Sequence, residues 1–258
     1  DGPDLGLRAT RRARIRLGEQ ALEVDGLALA MRDGSTLALD AALPWGVLEA
    51  PRSLLAAGPA ARLHVVAEDW SLGELGPLLP MRDAALQGTL DADLTLARRA
   101  GRGPTVQGRA SLADGAFDTP ELAVAGIDAV VDLSGDPEDP SGEATGHLRG
   151  VVLRGRTLGD VRFALRSPGQ RVVVVEELAL DGGALPLAVA PGSRVTLGEE
   201  AVALEAVRLS SRGQTLRLDG AIGRDGRCDL TATALDLDMA VLAALLRPEQ
   251  DPEQAVPV

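Results

Sequence analysis

Apolar and polar residues alternate with a period of two along most of the chain. In residues 90–96, Leu and Ala alternate with Asp and Thr, and residues 161–165 repeat the pattern with Val, Phe and Leu at the apolar positions. Such alternation is typical of a strand with one solvated face. The pattern predicts about fifteen short strands. Because parallel strands need long crossover helices, which the pattern lacks, we expect mostly an antiparallel meander.

The segments between the predicted strands carry turn signals. Asp33-Gly34 predicts a hairpin turn, since Asp-Gly is a strong hairpin signal, and residues 113–118 (ADGAFD) predict a second turn. Residues 136–146 are acidic and rich in Pro and Gly, which predicts a solvated loop. Residues 44–61 contain three prolines and are expected to form a loop as well.

One stretch of the chain occurs twice. Residues 17–39 match residues 197–218, first at an offset of 180 and then at 179, after one residue drops out beside the turn. Further on the offset falls to 167, so the first copy carries a 12-residue insertion within residues 44–61. An internal repeat of this length predicts a modular architecture.

Each copy runs into a short apolar segment with helical spacing. The apolar residues of these segments lie at i, i+3, i+6 and i+7, which predicts two short amphipathic helices. Helices of about two turns persist only when they pack on other structure. Their apolar positions are Leu72, Leu75, Leu78, Leu79, Met239, Leu242, Leu245 and Leu246.

The repeat also predicts how the chain is divided. We expect residues 1–80 to be the C-terminal part of one repeat unit and residues 81–248 to be one full unit. Residues 249–258 would then begin a linker or the next unit. The chain would accordingly be a slice of a longer protein.

Composition narrows the function classes. Apolar residues make up 45% of the chain, aromatic residues only 2%, and the net charge is −12. The apolar surface is therefore mainly Ala, Leu and Val. Acidity argues against nucleic acid as a partner, because phosphate binding needs a basic field. The single cysteine, Cys228, excludes an intrachain disulfide framework.

The sequence gives little support for catalysis, and we expect neither enzymatic activity, a metal site nor a cofactor. His64 and His147 lie far apart and sit in strand patterns. One Cys and two His cannot build a zinc site of the usual spacing. Asp91 and Asp93, two residues apart on a strand, are best interpreted as part of a wet polar face.

The remaining feature is the apolar face itself. A one-sided sheet must cover that face, which a closed sandwich or barrel would do. The long repeat and the aliphatic composition favour instead an elongated, curled antiparallel sheet that forms an open hydrophobic groove. Its predicted lining residues are Leu37, Leu39, Leu63, Val65, Leu90, Leu94, Leu96, Val106, Leu112, Ile127, Val131, Leu133, Val161, Phe163, Leu165, Leu216, Leu218 and Leu230.

Two stretches resemble a known family. Residues 88–117 (GTLDADLTLARRAGRGPTVQGRASLADGAF) resemble TamB/AsmA-like bacterial envelope proteins in their repeating pattern of glycine, apolar and polar residues. Residues 183–222 are similar to repeats of the TamB group. The resemblance implies a hydrophobic β-groove ("β-taco") in the periplasm of Gram-negative bacteria, anchored in the inner membrane by a segment outside this chain. It also implies a BamA-like outer-membrane barrel partner, engaged through parts not present here.

The residues and the resemblance together predict a function. We expect a segment of a groove that conducts phospholipid between the inner and outer membranes, with the acyl chains as its partners. A first alternative is a scaffold that assists outer-membrane protein assembly or autotransporter secretion. A second alternative is a passive structural β-domain with a closed core.

Overall fold

The computed structural model describes residues 8–31, 33–56, 58–75, 85–119, 121–182, 186–223, 225 and 227–235. These residues form one antiparallel sheet of 16 strands and three short helical segments. The strands are β1 (Arg8–Ala9), β2 (Arg14–Leu17), β3 (Ala21–Ala30), β4 (Thr36–Pro44), β5 (Ala61–Ser71), β6 (Ala85–Arg98), β7 (Pro104–Asp118), β8 (Leu122–Asp136), β9 (Asp139–Leu153), β10 (Arg156–Gly169), β11 (Val172–Gly182), β12 (Leu187–Val189), β13 (Ser193–Leu197), β14 (Ala201–Ser211), β15 (Gln214–Gly223) and β16 (Cys228–Leu235). The helical segments are α1 (Trp45–Glu49), a 3₁₀ turn (Pro51–Leu55) and α2 (Leu72–Leu75).

Strand order follows chain order almost throughout. From β3 to β11 each strand pairs with the next, as expected for successive hairpins. Two positions are each filled by a pair of short strands: β1 and β2 both pair with β3, whereas β12 and β13 both lie between β11 and β14. The prediction of a mostly β, antiparallel meander is confirmed.

The two copies seen in the sequence also share their strand register. The shared register extends further along the chain than the sequence similarity does. In β3–β4, Val24 pairs with Ala41 and Leu27 with Leu39. Their counterparts in β14–β15, at offsets of 180 and 179, pair in the same way. The match continues upstream, because Arg8 pairs with Ala30 as Ala188 pairs with Ser210. We call β1–β5 the first copy and β12–β16 the second copy.

β-Bulges recur along the sheet. At five places, two residues of one strand face a single aspartate of the next strand, and the second of the two has a positive φ. The aspartate accepts a hydrogen bond from the backbone N–H of that residue. A bulge bends its strand and increases the local twist. The N–H donors and aspartate acceptors are Gly26–Asp40 (2.7 Å), Asp69–Asp91 (2.8 Å), Asp114–Asp128 (3.1 Å), Gly150–Asp160 (2.9 Å) and Ala206–Asp219 (2.8 Å).

Three sequence-based predictions about connections are wrong. Residues 113–118 form no turn, because β7 continues through them and Asp114 is a bulge residue. Residues 136–146 form no long loop, since β9 begins at Asp139 directly after a tight turn. There the Asp139 carboxylate accepts hydrogen bonds from the N–H groups of Gln170 and Arg171, in the turn between β10 and β11. Residues 44–61 contain α1 and the 3₁₀ turn.

The predicted unit boundary at residues 80 and 81 lies outside the described residues. The strands on either side of it, β5 and β6, pair along their length. Hydrogen bonding in the sheet therefore continues from one predicted unit to the next.

Candidate functional site

Strand register places the predicted lining residues on one face of the sheet. Directly paired residues of antiparallel strands point to the same side, and so do residues two apart on a strand. Leu39 pairs with Val65, which pairs with Leu94. Further along, Phe163 pairs with Leu178. This connectivity continues from β4 to β16 and includes all the predicted positions. We call this side the apolar face.

The predicted helical residues are only partly described. Leu72 and Leu75 lie in α2, which packs beside β6, and Leu72 is buried at 8% exposure. The other six positions fall outside the described residues, and their helices stay a prediction. They are Leu78, Leu79, Met239, Leu242, Leu245 and Leu246.

The apolar face is only partly covered. None of the eighteen predicted lining residues is buried, and Val131 is 36% exposed. In a closed core of ordinary packing, large aliphatic side chains would mostly be fully buried. Each of these side chains therefore keeps apolar area accessible, and covering that area would contribute about 25 cal/mol per Å².

The opposite face carries charged side chains that form ion pairs between neighbouring strands. His64 Nε2 lies 2.8 Å from Asp93 Oδ1, and Arg109 Nη1 lies 3.5 Å from Asp132 Oδ2. Similar pairs join Arg149 to Asp128, Arg162 to Asp181 and Arg166 to Glu176, at 3.0, 2.8 and 3.2 Å. Exposed pairs add little stability individually. They do favour the present register, because a slip of one residue would move charges onto the apolar face.

Among the described strand residues, Arg98 departs from this separation of charge. Register places it on the apolar face, opposite Ala61, and it is only 4% exposed. Its guanidinium donates hydrogen bonds to the carbonyl oxygens of Ser53, Ala56 and Pro59, at 2.6, 2.8 and 2.7 Å. The insertion of the first copy is thereby fixed over one end of the apolar face.

Trp45 holds the other end of that insertion. Its indole N–H donates a hydrogen bond to the carbonyl oxygen of Gly18 at 3.0 Å, and its backbone N–H donates one to the backbone carbonyl oxygen of Gln20 at 3.2 Å. Val47, two residues later in α1, is buried at 5% exposure. Trp45 therefore anchors the start of the insertion to the residues that precede β3.

Asp219 has the most strongly connected carboxylate of the bulges. The Arg217 guanidinium contacts it through Nε at 2.6 Å and Nη2 at 3.2 Å. Hydrogen bonds from Arg217 and from the backbone N–H of Ala206 lower the pKa of Asp219, and Asp219 in turn raises the pKa of Arg217. This carboxylate therefore supports the bulge of the second copy in its charged form.

The histidines belong to the polar face. His64 contacts Asp93, and His147 lies 3.9 Å from Asp160. In the part of the chain that the structure describes, no group of three or more His, Cys, Asp or Glu residues is arranged to hold a metal ion. No helix among the described residues is long and apolar enough to cross a membrane.

Sequence reasoning missed several members of the apolar face and the role of the five aspartates in the bulges. Leu27 and Leu29 of β3 and Leu178 and Leu180 of β11 share the face with the predicted residues. The aspartates carry a readable signal, since each lies within a strand and follows an apolar residue or glycine, as in Leu-Asp-Ala at 39–41.

Searches against protein-family models, curated proteins and solved structures found no match to this chain. The resemblance to the TamB group accordingly stays a prediction from the sequence.

Proposed function

We propose that the chain is a segment of an open apolar trough that binds phospholipid acyl chains and conducts them between the two membranes of a Gram-negative envelope. The observation that carries the proposal is the apolar face: aliphatic side chains on one side of a single large sheet, none of the predicted ones buried. An acyl chain laid along that side would cover area now left accessible, at about 0.8 kcal/mol per CH₂.

The chemistry of the face suits a cargo that must move on. The predicted lining is Leu, Val and Ile with a single Phe, so it offers dispersion contacts but few directional hydrogen bonds. The charged groups lie mostly on the opposite face, where ion pairs engage them. A weakly specific aliphatic wall binds many chain lengths and holds none of them tightly.

The experiment compares adjacent residues that face opposite sides. A photo-crosslinking amino acid at Leu94, or at Val131, is expected to label copurified phospholipid, whereas one at Asp93 is not. Asp93 is a matched control because it lies next to Leu94 in β6 and its side chain is 69% exposed. Native mass spectrometry of the purified chain should show bound phospholipid. Equal labelling at positions 93 and 94 would reject the proposal.

The alternatives give different outcomes. If the chain were a passive β-domain with a closed core, no lipid would copurify and no position would be labelled. If it were an assembly scaffold, protein crosslinks would appear at the edge strands, and proline substitutions there would impair function more than charges on the apolar face.

A further inference from the structure

The two short strands of the second copy pair with a further strand, β11, on their outer side. The edge formed by β1 and β2 in the first copy has no such strand among the described residues. In the second copy, β12 and β13 lie between β14 and β11. In the first copy, β1 and β2 pair with β3, and all their side chains are exposed. Since the registers match, β11 is a template for the strand that this edge accepts.

The template sets specific pairs. Val173 of β11 faces Val195, whose counterpart at an offset of 180 is Ile15. Val195 is half-buried, whereas Ile15 is 59% exposed. A strand that paired with β2 in the way that β11 pairs with β13 would place the residue equivalent to Val173 opposite Ile15. Such a cross-strand apolar pair is the unit by which added strands gain stability.

Charge gives a second, independent match. Residues 8–16 contain five arginines in a chain whose net charge is −12. Of these, Arg16 has a carboxylate partner among the described residues, Glu23 at 3.6 Å. In β11 the pair Glu176-Glu177 lies between the segment that pairs with β13 and the one that pairs with β12. This acidic pair lies opposite residues 190–192, whose counterparts at an offset of 180 are residues 10–12 and include Arg11 and Arg12.

We propose that the β1–β2 edge binds an extended strand of a partner polypeptide by antiparallel β-addition. The partner strand has a β-branched apolar run followed by an acidic pair, as in RVVVVEELAL of β11. Exposed sheet edges bind strands in this way, with the main chain providing affinity and the side chains specificity. The inference is independent of lipid binding.

The test uses a fluorescent peptide with the sequence of residues 170–182 and the intact chain. We expect saturable binding by fluorescence anisotropy and at least tenfold weaker binding to the variant Arg11→Glu/Arg12→Glu. Both arginines are exposed and lie outside the strands, so the variant should keep its circular dichroism spectrum. The matched control is Arg99→Glu/Arg102→Glu, in the exposed β6–β7 turn, which should bind like the unaltered chain.

Charge exchange and amide exchange locate the complex. A peptide carrying Glu176→Lys and Glu177→Lys should bind the unaltered chain weakly and recover on Arg11→Glu/Arg12→Glu. Hydrogen exchange should slow at the amides of β1 and β2. Slowing at β16, or faster exchange at the native β11, would overturn the proposal, since the peptide would then occupy another edge or displace its own template.

Anionic lipid is the competing explanation of the arginines. If the proposal is right, the unaltered chain and Arg11→Glu/Arg12→Glu should cosediment to the same extent with vesicles that contain phosphatidylglycerol. If that variant loses vesicle binding and the peptide shows no saturable binding, the arginines recognise lipid headgroups and the proposal is wrong.

Discussion

The first and second copies share their hydrogen-bond register but differ in what surrounds it. Both have two short strands beside a long one, a bulge at the same place and a hairpin turn around a glycine with positive φ. They differ at the outer edge and in the connection between the last two strands. Register and bulge are therefore properties of the module, whereas loops and neighbours vary, as is general for surface connections.

The connection illustrates how the copies diverge. In the second copy β15 reaches β16 through residues 224–227, and the N–H of Gly223 donates to the carbonyl oxygen of Arg227 at 2.7 Å. In the first copy, α1 and the 3₁₀ turn take the same place, and a buried arginine from β6 bonds to the 3₁₀ turn and to the residues that follow it. An insertion is thus tolerated where a strand outside the copy supplies the donors that fix it.

The largest expected effect comes from removing that arginine. Arg98→Met should lower the free energy of unfolding by about 2–4 kcal/mol, because three carbonyl oxygens lose a charged donor. It should also expose residues 51–60 to proteolysis, including trypsin cleavage after Arg52. Thermal unfolding and a timed trypsin digest measure the two effects.

Arg109→Met is the control for this substitution. Arg109 lies on the neighbouring strand, its side chain is 65% exposed, and its loss should change stability by no more than about 0.5 kcal/mol. If both variants behaved alike, Arg98 would not be what holds the insertion of the first copy.

A second prediction exchanges the bulge residues of the two copies. Gly26 and Ala206 are counterparts with φ of 67° and 52°, a region that costs residues with a Cβ about 1–2 kcal/mol. Gly26→Ala should therefore destabilise the protein by about 1 kcal/mol, and Ala206→Gly should stabilise it by a similar amount. A Cβ built on Gly26 has no neighbouring atom within 4 Å, so Gly26→Ala introduces no steric clash that would add to the backbone cost.

Chemical denaturation of the single variants and of the double variant measures this exchange. The two sites lie in different copies, so their effects should add to nearly zero. A Gly26→Ala variant as stable as the unaltered chain would mean that the copies do not share the bulge conformation.

The sequence predicts the sheet well because alternation reports directly on which side chains share a face. It fails where identical letters have different roles. Asp33-Gly34 lies in a hairpin turn, with Asp33 accepting hydrogen bonds from the hydroxyl and the N–H of Ser35, whereas Asp114-Gly115 lies within β7. The difference is the partner strand, since Asp128 reaches the N–H of Asp114 from β8. A contact between residues far apart in the chain has no local signature.

The same limitation hid the start of the first copy. Residues 8–16 align poorly with 188–196 because Arg11-Arg12 stands where the second copy has Pro191-Gly192. Backbone pairing is insensitive to those side chains, so the register repeats although the letters do not. The relation of β1 and β2 to β12 and β13 is therefore visible in the strand pairings and not in the sequence.

The smallest expected effect separates charge from hydrogen bonding at the two bulges. Asp219→Asn keeps an oxygen that accepts the Ala206 N–H but removes the charge beside Arg217. The pKa of Asp219 is lowered from its ordinary value of 3.8, so its contribution is fully present above that pH and is lost as the pH falls through the lower folded pKa. The variant should melt slightly below the unaltered chain at pH 7, and the gap should close at pH values below 3.8. Asp40→Asn, in the bulge of the first copy, is the comparison, with exchange of the Gly26 and Ala206 amides as a second readout. A gap for Asp219→Asn that stays constant into strong acid would show that the charge of Asp219 does not support its bulge, and that both copies depend on the acceptor oxygen alone.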